Sequence, residues 1–254
     1  MFAILGLVII IVISLAFFFR SQIAEKVSQL EIAKGEKAKQ MESDLRSYAS
    51  SCLKKTAIEG LEMIMAEGGY YDYQGASVDY HAFKVPYYMD ERKESVPEVN
   101  AIAVSLARYI DDNIDPCIRA YSSSLETGKA KSEVKAGRKV ALEVSQKLAL
   151  SSGETTARLS SYITEIDFDL KDVYAPTLSF YKEARNISSV DFIGQSHMAL
   201  EGKYRFYIDN VGEQESVFVL FYPGVLEGKN IEWMFAIKYP GQNIGAVNPQ
   251  EMFA

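Results

Sequence analysis

FAILGLVIIIVISLAFFF, residues 2–19, is the stretch on which the reading of this chain turns. It carries no charge and a single hydroxyl, Ser14. Roughly 20 apolar residues span a bilayer core as a helix, so the run is just long enough. A buried helix of a soluble domain shows one polar stripe, and this run has none. A cleaved secretory signal would have a shorter apolar core and a small-residue cleavage site, whereas Arg20 follows Phe17, Phe18 and Phe19 directly. The expectation is a long N-terminal apolar helix, transmembrane or packed in a filament core.

Working outward, Ile23, Val27 and Leu30 sit at helical spacing, then Met41, Leu45, Tyr48 and Cys52, then Leu53, Ala57, Leu61 and Ile64. Gly35 interrupts the pattern as a candidate hinge, and Gly68-Gly69 is a helix stop. Residues 1–66 therefore read as an apolar anchor followed by an amphipathic stalk, a helical arm about 100 Å long. Arg20, Lys26, Lys34, Lys37, Lys39 and Arg46 follow the apolar run, which by the positive-inside rule alone puts the body in the cytoplasm. Five acids lie among them, however. The sequon Asn186-Ile187-Ser188, which makes Asn186 a glycosylation candidate, and the aromatic loops favour an external body.

An apolar helix starting at residue 2 and running into a polar amphipathic one resembles the type IV pilins and archaeal pilin-like subunits. The resemblance covers residues 1 to about 50 and is one of organisation. It implies that a short basic leader is removed and that the apolar helices then bundle into a filament core. Bacterial pilins have a glutamate at the fifth mature position. Leu5 stands here, as in many archaeal versions. On this reading Leu5, Leu7, Ile10, Val12 and Leu15 are subunit-packing residues, and Gly6 permits close approach. SCLKKTAIEGLEMIMAEGGY (51–70) with ARYIDDNIDPCI (107–118) is also similar to a group of archaeal proteins with one N-terminal anchor and a Cys pair.

Residues 67–131 read as a tyrosine-rich loop and a second helix. Tyr70, Tyr71, Tyr73, Tyr80, Tyr87 and Tyr88 crowd into residues 67–95. Tyrosine offers large contact area with a polar tip, so these six form a possible binding face for sugar or protein; alternatively their rings cover the end of the long helix. Pro97-Glu98 opens a helix with Val99, Ile102, Leu106 and Ile110 on one face. Asp111, Asp112 and Asp115 near its end lack the spacing of a calcium loop and read as a solvated turn. Cys52 and Cys117 lie on helices expected to pack side by side. A disulfide there closes a loop of about 65 residues and stabilises by about 4 kcal/mol; two buried free thiols are the alternative and would suit a cytoplasmic body.

Residues 132–254 read as a β-rich head. The polar stretch 122–139 reads as a linker or exposed hairpin, after which the period becomes two. Val140, Leu142 and Val144 alternate, then Ile166, Phe168 and Leu170, then Tyr204, Phe206 and Ile208, then Val217, Val219 and Phe221, and last Ile231, Trp233, Phe235 and Ile237. Pro176 starts a short helix, and Asp209–Gly212 and Pro223-Gly224 supply turns. The last three strands predict an antiparallel meander. The fold class is thus α+β: apolar helix, helical stalk, C-terminal antiparallel β-rich head.

With 27 basic against 34 acidic residues the net charge is −7, and no basic surplus exists to bind nucleic acid. Two cysteines are too few for a cysteine-only zinc site, and two histidines are too few for a histidine-rich metal site within one chain. No phosphate-binding glycine loop, zinc-protease helix or nucleophile elbow occurs. Ser196 and His197 are adjacent and would point to opposite faces of a strand. Glu165, Asp167 and Asp169 share a face of a regular strand, in the pattern of an ordinary half-buried one. The chain reads as a non-enzyme without metal or cofactor. It is expected to be a structural subunit of a cell-surface filament that packs with copies of itself, meets membrane lipid before assembly, and displays its head for adhesion to surface glycans or proteins. The alternative is a monomeric anchored binding protein that uses the tyrosine-rich loop.

Overall fold

The computed structural model describes residues 2–186 and 204–240, with side chains from residue 34 onward. Helix α1 (Phe2–Ala66) is continuous. Three strands follow, β1 (Ser77–Tyr80), β2 (Phe83–Asp90) and β3 (Lys93–Glu94), then helices α2 (Val99–Asn113) and α3 (Asp115–Arg119). Next come β4 (Leu125–Thr127), β5 (Lys131–Ala136), β6 (Val140–Ser152) and β7 (Thr155–Ile166), then α4 (Leu170–Ala184). The described chain ends with β8 (Arg205–Asn210), β9 (Glu215–Leu226) and β10 (Lys229–Lys238).

Two sheets enclose the C-terminal half of α1. The larger has the order β1-β2-β10-β9-β8, with β3 on β2. Its β8–β9–β10 part is the expected antiparallel meander, with Phe206 opposite Leu220 and Trp233 opposite Leu220 on the other side. Its other half is new: β2 joins β10 in parallel, with Tyr87 beside Ala236. In the smaller sheet β4 and β5 lie along one edge of β6 and β7 along the other. Side-chain links trace the path of α1 across both sheets. Lys34 pairs with Glu154 at the β6–β7 turn, Arg46 donates to the Ser161 carbonyl of β7 (3.3 Å), and Lys54 pairs with Glu227 at the β9–β10 turn (3.0 Å).

A long apolar stripe needs a partner surface, either the chain's own head or a neighbouring subunit, and α1 finds it in its own body. Leu45, Ala49, Leu53, Ala57, Leu61 and Ile64 have no exposure at all, so the stripe of α1 is part of the body's core. Burying each of the larger ones stabilises by about 1.5–3 kcal/mol. Among the described residues no helix is long and apolar enough to cross a membrane. The reason is visible in the sequence from residue 34, where charged side chains recur on nearly every turn of α1. The transmembrane or filament-core helix is therefore not found there. Leu5, Gly6, Leu7, Ile10, Val12 and Leu15 lie on α1 before residue 34, so their side chains fall outside the described residues.

Local corrections have equally plain causes. Gly35 does not hinge α1; it is exposed among strong helix formers, which outweigh its cost of about 1 kcal/mol. The tyrosine-rich segment holds strands β1–β3 and not only loop. The stretch 122–139, read as a linker or exposed hairpin, supplies β4 and β5; β5 forms a hairpin with β6, and its alternating Lys131, Glu133 and Lys135 are the charges expected on an edge strand. Strand β7 ends at Ile166, and Asp169 caps α4 by accepting from the Lys171 amide (3.0 Å), so Pro176 lies inside that helix instead of starting it. Pro223-Gly224 lies within β9, and Glu227-Gly228 makes the turn.

Candidate functional site

Helix α1 stops where Gly68 (φ 62°) and Gly69 (φ 87°) turn left-handed. The Gly69 amide donates to Ile64 (2.7 Å) and the Gly68 amide to Met65 (3.0 Å), the Schellman pattern. A side chain on Gly68 would meet Pro86 Cγ at 2.6 Å and the Met234 carbonyl at 2.8 Å, so only glycine fits. This tight exit aims the following tyrosines at two different places.

Tyr70, Tyr71 and Tyr73 gather at the surface beside α2. The Tyr70 and Tyr73 rings are 4.5 Å apart, and Tyr71 meets Tyr109 edge-on at 5.3 Å. Arg108 lies 5.9 Å over the Tyr71 ring and pairs with Asp72 at 3.8 Å. The hydroxyls are largely committed. Tyr70 donates to the Ser95 carbonyl (3.2 Å), Tyr73 shares a bond with the Ser95 hydroxyl (2.9 Å), and the Asn113 amide reaches Tyr71 (3.5 Å). Partial burial raises the hydroxyls of Tyr70, Tyr71 and Tyr109 above their usual range. The patch offers ring edges and a guanidinium that is already paired with Asp72.

Tyr80, Tyr87 and Tyr88 do not join it, because all three are buried. Tyr88 donates to the Gly68 carbonyl (2.8 Å), accepts from Trp233 Nε1 (2.9 Å) and stacks on Phe235 at 4.8 Å. Tyr80 and Tyr87 help close a small second core with Val85, Val217, Val219, Met234 and Ala236 on the far face of the larger sheet. There the Tyr80 hydroxyl donates to Asp209 (3.1 Å). Of the six tyrosines, three form a surface and three are framework.

The cysteines meet as expected: Cys52 on α1 and Cys117 on α3 form a disulfide with S–S 2.05 Å and Cα–Cα 5.8 Å. The three aspartates nearby are dispersed into framework contacts. Asp111 accepts from the Ser132 amide of β5 (2.7 Å), Asp115 pairs with Arg119, and Asp112 is exposed. Among the described residues no group of three or more His, Cys, Asp or Glu could hold a metal ion. Glu165 faces Lys139 (3.8 Å) and Asp169 is a helix cap, so the acids at 165–169 do not share a strand face. Ser196 and His197 lie outside the described residues. Asn186 is exposed at the end of α4 and donates to the Lys182 carbonyl (3.1 Å).

One surface escaped the sequence reading. The outer face of the smaller sheet carries a trough of about 470 Å³ that includes Lys147 and Arg158. Buried Gln146 hid it by placing a polar residue at an inward position, which breaks the apparent alternation. The side chain bonds to the Gly128 carbonyl (2.9 Å) and takes a bond from Tyr162 (2.6 Å). The chain matches no known family model, no characterised protein and no solved structure. The likeness to type IV pilins thus rests on the organisation of residues 1–50 alone.

Proposed function

We propose that this chain is a non-catalytic structural subunit of a cell-surface filament, joined to copies of itself through the part of α1 that precedes residue 34. The supporting observation is that the core helix of the body is the same unbroken helix, Phe2–Ala66, that continues beyond residue 34 towards the N-terminus. A pull on its N-terminal part is carried straight into the core. The Cys52–Cys117 disulfide fastens that helix to α3 and suits an oxidising, external location. Shearing whole cells tests this. The reading expects fibres that contain the chain, and Gly6→Leu is expected to abolish them while leaving the body folded. A chain recovered only as monomer from every surface extract overturns it.

A second reading, a monomeric surface binding protein, draws on the Tyr71–Arg108–Tyr109 cluster. It requires Tyr71→Ala to abolish attachment without altering recovery of the chain in the sheared fraction.

A further inference from the structure

We propose that the outer face of the smaller sheet holds a binding trough for an acidic sugar unit, a ring bearing both a carboxylate and hydroxyl groups. Strand register builds it. Glu126, Ala149 and Arg158 form one cross-strand row over β4, β6 and β7. Beyond that row the lining continues with Gly128, whose amide donates to the Lys147 carbonyl (2.8 Å), Lys147 itself and Ser160, where a bulge interrupts the β6–β7 register. Strands lie about 4.8 Å apart, so Glu126 and Arg158 stand about 10 Å apart across the methyl of Ala149. Small residues at Ala149 and Gly128 leave a depression between long charged side chains. Its volume of about 470 Å³ is within the usual range of small-ligand clefts.

The charges decide the ligand. Lys147 and Arg158 make no ion pair among the described residues, although the chain is acidic overall. Cations at two other grooves are already neutralised. Lys135 pairs with Glu133 (3.1 Å) on the same sheet face, and Lys54 and Lys229 on the α1 groove pair with Glu227 (3.0 Å) and Glu62 (2.7 Å). Lys147 and Arg158 are exposed on adjacent strands and line the same trough, so both side chains can converge on one carboxylate. Glu126, across Ala149 from Arg158, accepts hydrogen bonds from hydroxyls and repels a second carboxylate. That combination disfavours an acidic peptide. The absence of any aromatic ring from the lining removes the stacking platform that a neutral sugar would use. The trough goes beyond the filament reading, since it needs only a displayed body and not assembly.

The test uses the full-length chain, immobilised, with three probes: a glucuronate-containing oligosaccharide, the matched neutral oligosaccharide and polyglutamate. The glucuronate probe is expected to bind with a Kd of about 1 mM or tighter, weakening with salt, and the other two are expected not to bind. Lys147→Gln and Arg158→Gln, both at exposed positions, are each expected to weaken binding about tenfold. Ala149→Phe fills the trough without changing its charge and is expected to abolish binding while the circular dichroism spectrum is unchanged. No binding of glucuronate, equal binding of either control probe, or unchanged binding by the variants overturns the proposal. None of these outcomes depends on whether fibres form.

Discussion

Tyr88 shows how a residue's surroundings set its role. Its hydroxyl ties the end of α1, through the Gly68 carbonyl, to Trp233 of β10 in a site with no solvent contact. Tyr88→Phe leaves the Trp233 N–H and the Gly68 carbonyl without this partner, and an unsatisfied buried group costs about 1–3 kcal/mol. The expected outcome is a loss of that size in denaturant-unfolding free energy, with an unchanged slope. Burial also pushes the hydroxyls of Tyr88, Tyr162, Tyr222 and Tyr239 above the ordinary tyrosine value near 10. In each case the folded state favours the protonated form. Their contribution is therefore fully present below about pH 10 and is lost as pH rises past it, where the unfolded chain releases protons more readily. Unfolding followed by phenolate absorbance is expected to become steep above that pH. A flat stability profile through the alkaline range would contradict this. Little of it was readable in advance, because Tyr88 and its neighbour Tyr87 look like Tyr70 and Tyr71 in sequence, and only the strand β2 separates their fates.

Gly35 and Gly60 of helix α1 respond oppositely to the same change. A Cβ at Gly35 meets nothing within 4 Å, so Gly35→Ala is expected to stabilise by about 0.5–1 kcal/mol. A Cβ at Gly60 would lie 2.5 Å from Tyr109 Cδ1 and 2.9 Å from Leu106 Cδ1, where α1 and α2 touch. There the overpacking cost of about 1–3 kcal/mol exceeds the gain in helix propensity, and Gly60→Ala is expected to destabilise. Thermal melts of the two variants check both signs. The hydrophobic stripe of α1 and the 3.6-residue repeat of α2 were legible because each has one wet face. Strands β4 and β5 were not, since edge strands carry charges and resemble loops until a partner strand is known. The end of β7 was misread for a related reason: Phe168 and Leu170 continue a two-residue alternation by chance while the backbone has already turned towards the Asp169 cap.

At the scale of the whole molecule, the Cys52–Cys117 bond closes a loop with a sequence separation of 65 and fastens α1 to α3. In the chain-entropy model its removal costs about 4 kcal/mol. Melting the chain with and without reductant, alongside the Cys52→Ser/Cys117→Ser variant, is expected to show a matching drop for both; a melting temperature that neither reductant nor the variant lowers would contradict this. By itself the sequence determined the helical start of the chain, its stop at Gly68-Gly69, the second helix and the C-terminal meander. These depend on local periodicity or on backbone conformations open only to glycine. Only the tertiary structure decided that the stalk is a core helix, that β2 pairs in parallel with β10, that the tyrosines divide between surface and interior, and that Lys147 and Arg158 flank one trough. Each of these depends on which distant segments become neighbours. A one-dimensional pattern records that a face is to be covered and leaves open what covers it.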